Sequence, residues 1–147
     1  MKTMLLIAAA SAALVAAATS LGAVPPVVAT PVAAGTIASP ITVKVKPGAM
    51  VVTSITVAPG GNFGWHTHGA PVAVVVTGGT LTVFDPAIGN CAPFKVSKGQ
   101  AFVEPANHVH LARNEGSKPA TLYATYLGVS TGAKPNAPAK RPAGCNV

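Results

Sequence analysis

Beyond residue 40 the chain alternates apolar and polar positions in short runs, each closed by glycine, proline or asparagine. Residues i and i+2 of a strand share one face, so this two-residue period marks strands with one buried side. The pattern predicts strands at Ile41–Lys46, Met50–Val57, Trp65–His68, Val72–Thr77, Thr80–Phe84, Phe94–Val96, Ala101–Glu104, His108–Arg113 and Thr121–Leu127. Pro47-Gly48 and Pro59-Gly60-Gly61 punctuate them, and Gly78-Gly79 marks a tight hairpin, because glycine accepts positive φ. No stretch of ten or more residues past the N-terminal segment has helical periodicity. About eight to ten short strands with regular turns make an all-β sandwich or barrel. Residues 24–40, rich in Pro, Ala, Val and Thr, read as a linker or N-terminal arm with room for one edge strand. Residues 129–147, rich in Pro, Ala and Lys, read as an irregular tail.

The four histidines all fall in two His-X-His pairs, His66-Thr67-His68 and His108-Val109-His110. On a strand each pair aims two imidazoles into one space. A neutral ring nitrogen is the commonest protein metal ligand. An isolated pair would read as ordinary strand histidines; two pairs, each framed by glycine and proline, favour a metal site.

The frame extends the pattern. Gly60, His66, His68 and Gly79 fit the form G-x5-H-x-H-x3-4-E-x6-G, and Gly99, Pro105, His110 and Asn114 fit G-x5-P-x-G-x2-H-x3-N. These two motifs resemble those of the cupin superfamily, over residues 41–128. The resemblance implies a cupin-type jelly-roll β-barrel, with His66, His68 and His110 as ligands of a divalent transition metal: Fe, Zn, Cu, Ni or Mn. The chain departs from the pattern twice. Val72, or Ala73 with the longer gap, stands where the family has glutamate, and Asn107 replaces the glycine of the second motif. Asparagine tolerates a left-handed backbone, so the turn is expected to survive.

Glu104 shares strand parity with Phe102, and a carboxylate sent into a barrel is costly unless it is paired or metal-bound. It is the candidate for a fourth ligand or a base beside the metal, and so for a catalytic role; a twist at Pro105 would instead turn it to solvent. His108 is a candidate for orienting a ligand from behind, or for facing the barrel mouth. Phe63, Trp65, Phe84 and Tyr126 read as core.

The N-terminus changes the compartment. Lys2 precedes an apolar run, Met4–Ala18, and small residues follow to Ala23. That is the form of a signal peptide, residues 1–23, with cleavage between 18 and 23. The run is shorter than the ~20 residues that span a bilayer, so no stable membrane span is expected after cleavage. The narrower resemblance is to small exported bacterial cupin-domain proteins, periplasmic or extracellular. Two cysteines, Cys91 and Cys145, then read as a disulfide tying the tail to the barrel. It would close a loop of about 55 residues, for roughly 4 kcal/mol in the chain-entropy model. The alternative is two free thiols, one of them a metal ligand; Cys91 lies outside both motifs, which argues against it.

Ten basic and three acidic residues give a net charge of +7, yet only 9% of the chain is charged. No basic stretch is interleaved with aromatics, which argues against a nucleic-acid partner. A small-molecule ligand and a homodimer stay open. So do three functions: a metal-binding module, an oxygenase-type enzyme, and a non-catalytic small-molecule-binding or structural domain. The same fold hosts many chemistries.

Overall fold

The computed structural model describes residues 27–147, so the signal segment lies outside the described residues. Every element below belongs to one unit, Pro31–Val147. Ten strands follow in order: β1 (Thr36–Ile37), β2 (Ala49–Val57), β3 (His66–Thr67), β4 (Val72–Gly78), β5 (Thr80–Phe84), β6 (Phe94–Ser97), β7 (Gln100–Glu104), β8 (Leu111–Arg113), β9 (Ala120–Val129) and β10 (Ala137–Pro138). One 3-10 turn, Gly89–Cys91, interrupts them.

Five strands form a sheet in the order β1-β7-β4-β9-β2, and three form a second sheet, β6-β5-β8. A two-stranded ribbon joins β10 to β3. Only β1 and β7 run parallel; the other ladders are antiparallel. The fold is all-β, as the alternation predicts, and it is the jelly roll that the resemblance implies.

Sequence period translates directly into burial. Val72, Val74 and Val76 of β4 are buried, as are Leu122, Ala124 and Tyr126 of β9, while the residues between them are half-buried. These inward positions pack with Leu81, Val83, Val96 and Ala112 of the smaller sheet into one core. Gly78-Gly79, expected to close a hairpin, instead turns the chain from one sheet into the other, since β4 and β5 share no ladder, and this corner needs glycine at Gly79. Its φ is +65°, and a Cβ there would stand 2.7 Å from the Pro119 carbonyl oxygen.

Two further segments differ from the sequence expectation. Ile41–Lys46 joins no ladder, although it alternates like a strand. Ile41 and Val45 are exposed and Val43 between them is only half-buried, while Thr42, Lys44 and Lys46 face out, so neither face joins the core to fix a register. The tail, expected to be irregular, contributes β10, whose Ala137 and Pro138 pair with Thr67 and His66. In the N-terminal arm, β1 is the edge strand, pairing Thr36 with Gln100. Cys91 and Cys145 stand within disulfide-bonding distance, their Cα atoms 5.4 Å apart.

Candidate metal centre

His66 and His110 face each other as a hydrogen-bonded antiparallel pair. Each amide donates to the other's carbonyl at 3.0 Å. Such opposed residues project to the same face, so the two sequence motifs meet across one backbone bridge. His68, two residues beyond His66, joins them on that face. The ring centroids lie 4.4 Å (His66–His110), 4.9 Å (His66–His68) and 5.0 Å (His68–His110) apart. All three residues are buried, and their ligand nitrogens fall within 4.8 Å of one another.

Each ring has one nitrogen already engaged. Nδ1 of His66 meets the Gly64 carbonyl at 2.9 Å, Nδ1 of His68 meets that of Pro135 at 3.1 Å, and Nδ1 of His110 meets that of His108 at 3.2 Å. A carbonyl only accepts, so each Nδ1 carries the proton and each neutral ring keeps its Nε2 lone pair free. That is the tautomer a metal-binding imidazole needs, with a carbonyl fixing the ring from behind.

Glu104 ends β7 facing inward, its side chain 12% exposed. One carboxylate oxygen lies 3.2 Å from Nε2 of His68 and the other 3.2 Å from Nε2 of His110. The distances are short, but neither contact has the direction of a hydrogen bond, and both Nε2 atoms are buried without a hydrogen-bonding partner. Burial pushes the Glu104 carboxyl up; its contacts with His110 and His68 outweigh that and hold it down to about 2. Burial pulls His110 down, and the neighbouring carboxylate more than reverses this, so its ring is raised overall. Burial lowers His66.

His108 stands outside this group. Its ring is half-exposed, with Nδ1 3.7 Å from the buried Asp85 carboxylate. It serves the centre through its backbone carbonyl, which holds His110. Asn107 has φ +63°, the left-handed turn that the second motif needs. Asn114 is buried and donates to the carbonyls of Val57 and Lys118, pinning the loop after β8.

Three participants escaped the sequence reading. Pro135 and Asn136 come from the tail. Tyr126, read as core, lines the cavity beside the histidines and donates its hydroxyl to Oδ1 of Asn136 at 3.0 Å. The tail prolines and asparagine carry no pattern of their own that could have announced this. The cavity wall is otherwise mostly apolar, including Ile55, Phe63, Leu81 and Phe102. Its volume is about 20 Å³, room for roughly one water molecule.

Comparison with known proteins agrees with this architecture. A chain from the crystal structures of the DMSP lyases RdDddP and RnDddQII superposes with a TM-score of 0.52 at 22% identity, covering 62% of this chain and 44% of that one. The polyketide cyclase RemF from Streptomyces resistomycificus gives 0.53 at 17% identity, covering 67% of this chain and 66% of that one. A conserved protein with a double-stranded β-helix domain from Klebsiella pneumoniae subsp. pneumoniae gives 0.50 at 21% identity, covering 67% and 76%. The chain thus spans less than two thirds of the first two relatives, and these identities speak for the fold alone. No protein of curated function matches the chain. The profile of the Cupin domain family matches residues 53–126, half of the chain and the segment that carries all three clustered histidines. With both histidine motifs meeting inside a jelly roll over that same span, the chain belongs to the cupin family.

Proposed function

We propose that this chain is an exported cupin-domain protein that holds one divalent transition metal on His66, His68 and His110, with Glu104 as fourth ligand. One observation carries the reading. All three rings spend Nδ1 on a backbone carbonyl, and the buried Nε2 atoms of His68 and His110 are left unpartnered beside a carboxylate. Lone pairs and an anion at that distance repel unless a cation lies among them. Protons can supply it in metal-free protein. A divalent ion serves all four donors at once, and a nitrogen-rich set with one carboxylate suits the first-row metals expected from the sequence.

A metal bound there would act as a Lewis acid, polarising a small molecule or lowering the pKa of a bound water. The chain supplies the rest. The carbonyls of Gly64, Pro135 and His108 hold the rings, and the apolar wall keeps bulk water out. Two of only three acidic side chains in the sequence, Glu104 and Asp85, sit beside histidines. The cavity admits a ligand of about the size of water, so a bulkier substrate requires the wall to move. That favours a metal-binding module over an enzyme for large substrates. An oxygenase-type enzyme is the second reading, favoured by the apolar lining, which suits a small uncharged gas molecule. Export is supported by the N-terminal pattern and the cysteine pair. Among the described residues no helix is long and apolar enough to cross a membrane.

Elemental analysis of the mature protein from its export compartment, beside His66→Ala and His110→Ala, tests the proposal. About one metal per chain is expected in the wild type and little in either variant. Full metal content in both variants would place the metal elsewhere.

A further inference from the structure

Two of the three histidines are oriented from their own strand. The acceptors for His66 and His110 are Gly64 and His108, each two residues back. His68 is different: its acceptor, the Pro135 carbonyl, lies 67 residues away in the tail. The next four residues continue the grip. Asn136 takes the hydroxyl of Tyr126, whose ring stands 5.4 Å from that of His68. Ala137 and Pro138 pair with Thr67 and His66, and the Ala139 amide donates to the Trp65 carbonyl at 2.9 Å. Residues 135–139 thus form a strap along the strand that carries His66 and His68.

Little else holds the strap. Lys134, Asn136, Ala137, Pro138, Lys140 and Arg141 are all exposed, so apolar burial contributes little to its attachment. Its far anchor is Cys145, which is 1% exposed and bridged to Cys91. A covalent tie keeps the strap at high effective concentration over its few hydrogen-bonding partners.

We infer that residues 135–145 form a disulfide-latched strap over the three-histidine centre, and that the Cys91–Cys145 bond governs how firmly the centre retains its metal. The inference rests on the metal reading above. Opening the latch is a two-electron reduction. Two equivalents of a thiol reductant give up two hydrogens and become a disulfide, while the Cys91–Cys145 bond breaks into two thiols. Nothing at the histidines changes oxidation state. The freed strap then frays, His68 loses its fixed acceptor, and the centre opens to water and competing ligands. A disulfide oxidant closes it again: the two thiols pass two hydrogens to that disulfide, which becomes two thiols, and the Cys91–Cys145 bond re-forms.

The test uses full-chain mature protein loaded with Co²⁺, whose visible absorption reports the ligand set, and follows its release to excess EDTA. Four samples are compared: oxidised wild type, wild type reduced with a phosphine, Cys91→Ser/Cys145→Ser, and Ala139→Pro. The last keeps the latch but removes the amide that bonds Trp65. All should show bound cobalt in the visible spectrum before EDTA is added. Release should be about tenfold or more faster in the last three, the range expected when a ligand loses its orienting partner. Far-UV circular dichroism checks the fold; if the double variant does not fold, the reduced wild type and Ala139→Pro decide. Equal release rates with cobalt bound would overturn the strap and leave the metal site standing. No cobalt spectrum in oxidised wild type would overturn the metal reading and the strap with it.

Discussion

Val72 and Glu104 are direct cross-strand partners in the β4–β7 ladder. Val72 occupies the place where the first cupin motif has its glutamate, and it is completely buried. Opposed residues of an antiparallel pair share a face. The carboxylate missing from β4 is therefore present one strand over, aimed at the same histidines. A carboxylate thus faces the histidines from β7, opposite the valine on β4.

This exchange can be tested by moving the charge. Glu104→Gln keeps the shape and removes the anion, so affinity for Zn²⁺ or Co²⁺ should fall at least about tenfold while the fold persists. Adding Val72→Glu to that variant returns a carboxylate from the partner strand and should recover part of the loss. Calorimetric titration of the metal-free proteins reads both. An unchanged affinity in Glu104→Gln would leave a bare three-histidine site.

Removing a histidine is expected to cost more. His66→Ala or His110→Ala deletes a ligand outright, and affinity should drop by more than about a hundredfold, beyond the loss of an orienting partner. His108→Ala keeps the carbonyl that holds His110, so its effect should stay below about tenfold. Competition against a chromophoric chelator ranks the three. Equal losses in all of them would mean that His108 also reaches the metal.

The shifted groups set a pH signature for the metal-free protein. Glu104 is lowered to about 2 from 4.5, so its contribution to stability is present above 4.5 and lost as pH falls through about 2. His110 is raised, so its contribution is complete below 6.5 and lost as pH rises through its elevated value. His66 is lowered and acts oppositely, costing stability as pH falls below 6.5. The stability difference between wild type and Glu104→Gln should therefore be largest between pH 4.5 and 6.5, and shrink above neutrality. Urea denaturation across that range measures it; a flat difference would contradict the pairing. Protons also compete for His110, so metal affinity should climb with pH through the neutral range.

The cysteine pair gives a chemical prediction. Peptide mapping of non-reduced protein should find Cys91 linked to Cys145. Replacing both by serine should cost about 2–5 kcal/mol of unfolding free energy, the usual range for a native disulfide in a small exported domain. Two alkylatable thiols in freshly exported protein would refute the link.

What the sequence disclosed was whatever a two-residue period can carry. His66 and His68 share a face because they are two apart, and Glu104 follows Phe102 inward for the same reason. The period could not say that Val72 would lie opposite Glu104, because that depends on the register between β4 and β7, set by the whole sheet. Nor could it expose Ile41–Lys46, whose alternation is perfect but whose two faces both stay out of the core. Pro135 and Asn136 were illegible for a different cause. One acts through a backbone carbonyl, which every residue possesses, and the other through a single long-range contact.

The Pro135 carbonyl also gives the centre a direction in time. Translation proceeds from the N-terminus, so His66, His68, Glu104 and His110 are all made before residue 135 is. The acceptors of His66 and His110 precede residue 135 in the chain, whereas that of His68 is residue 135 itself. The three-ring group reaches its final form only after residue 135 has been made, so a metal held as proposed would be captured after that point. A chain cut short before Pro135 would retain every proposed ligand and still present an unfinished site.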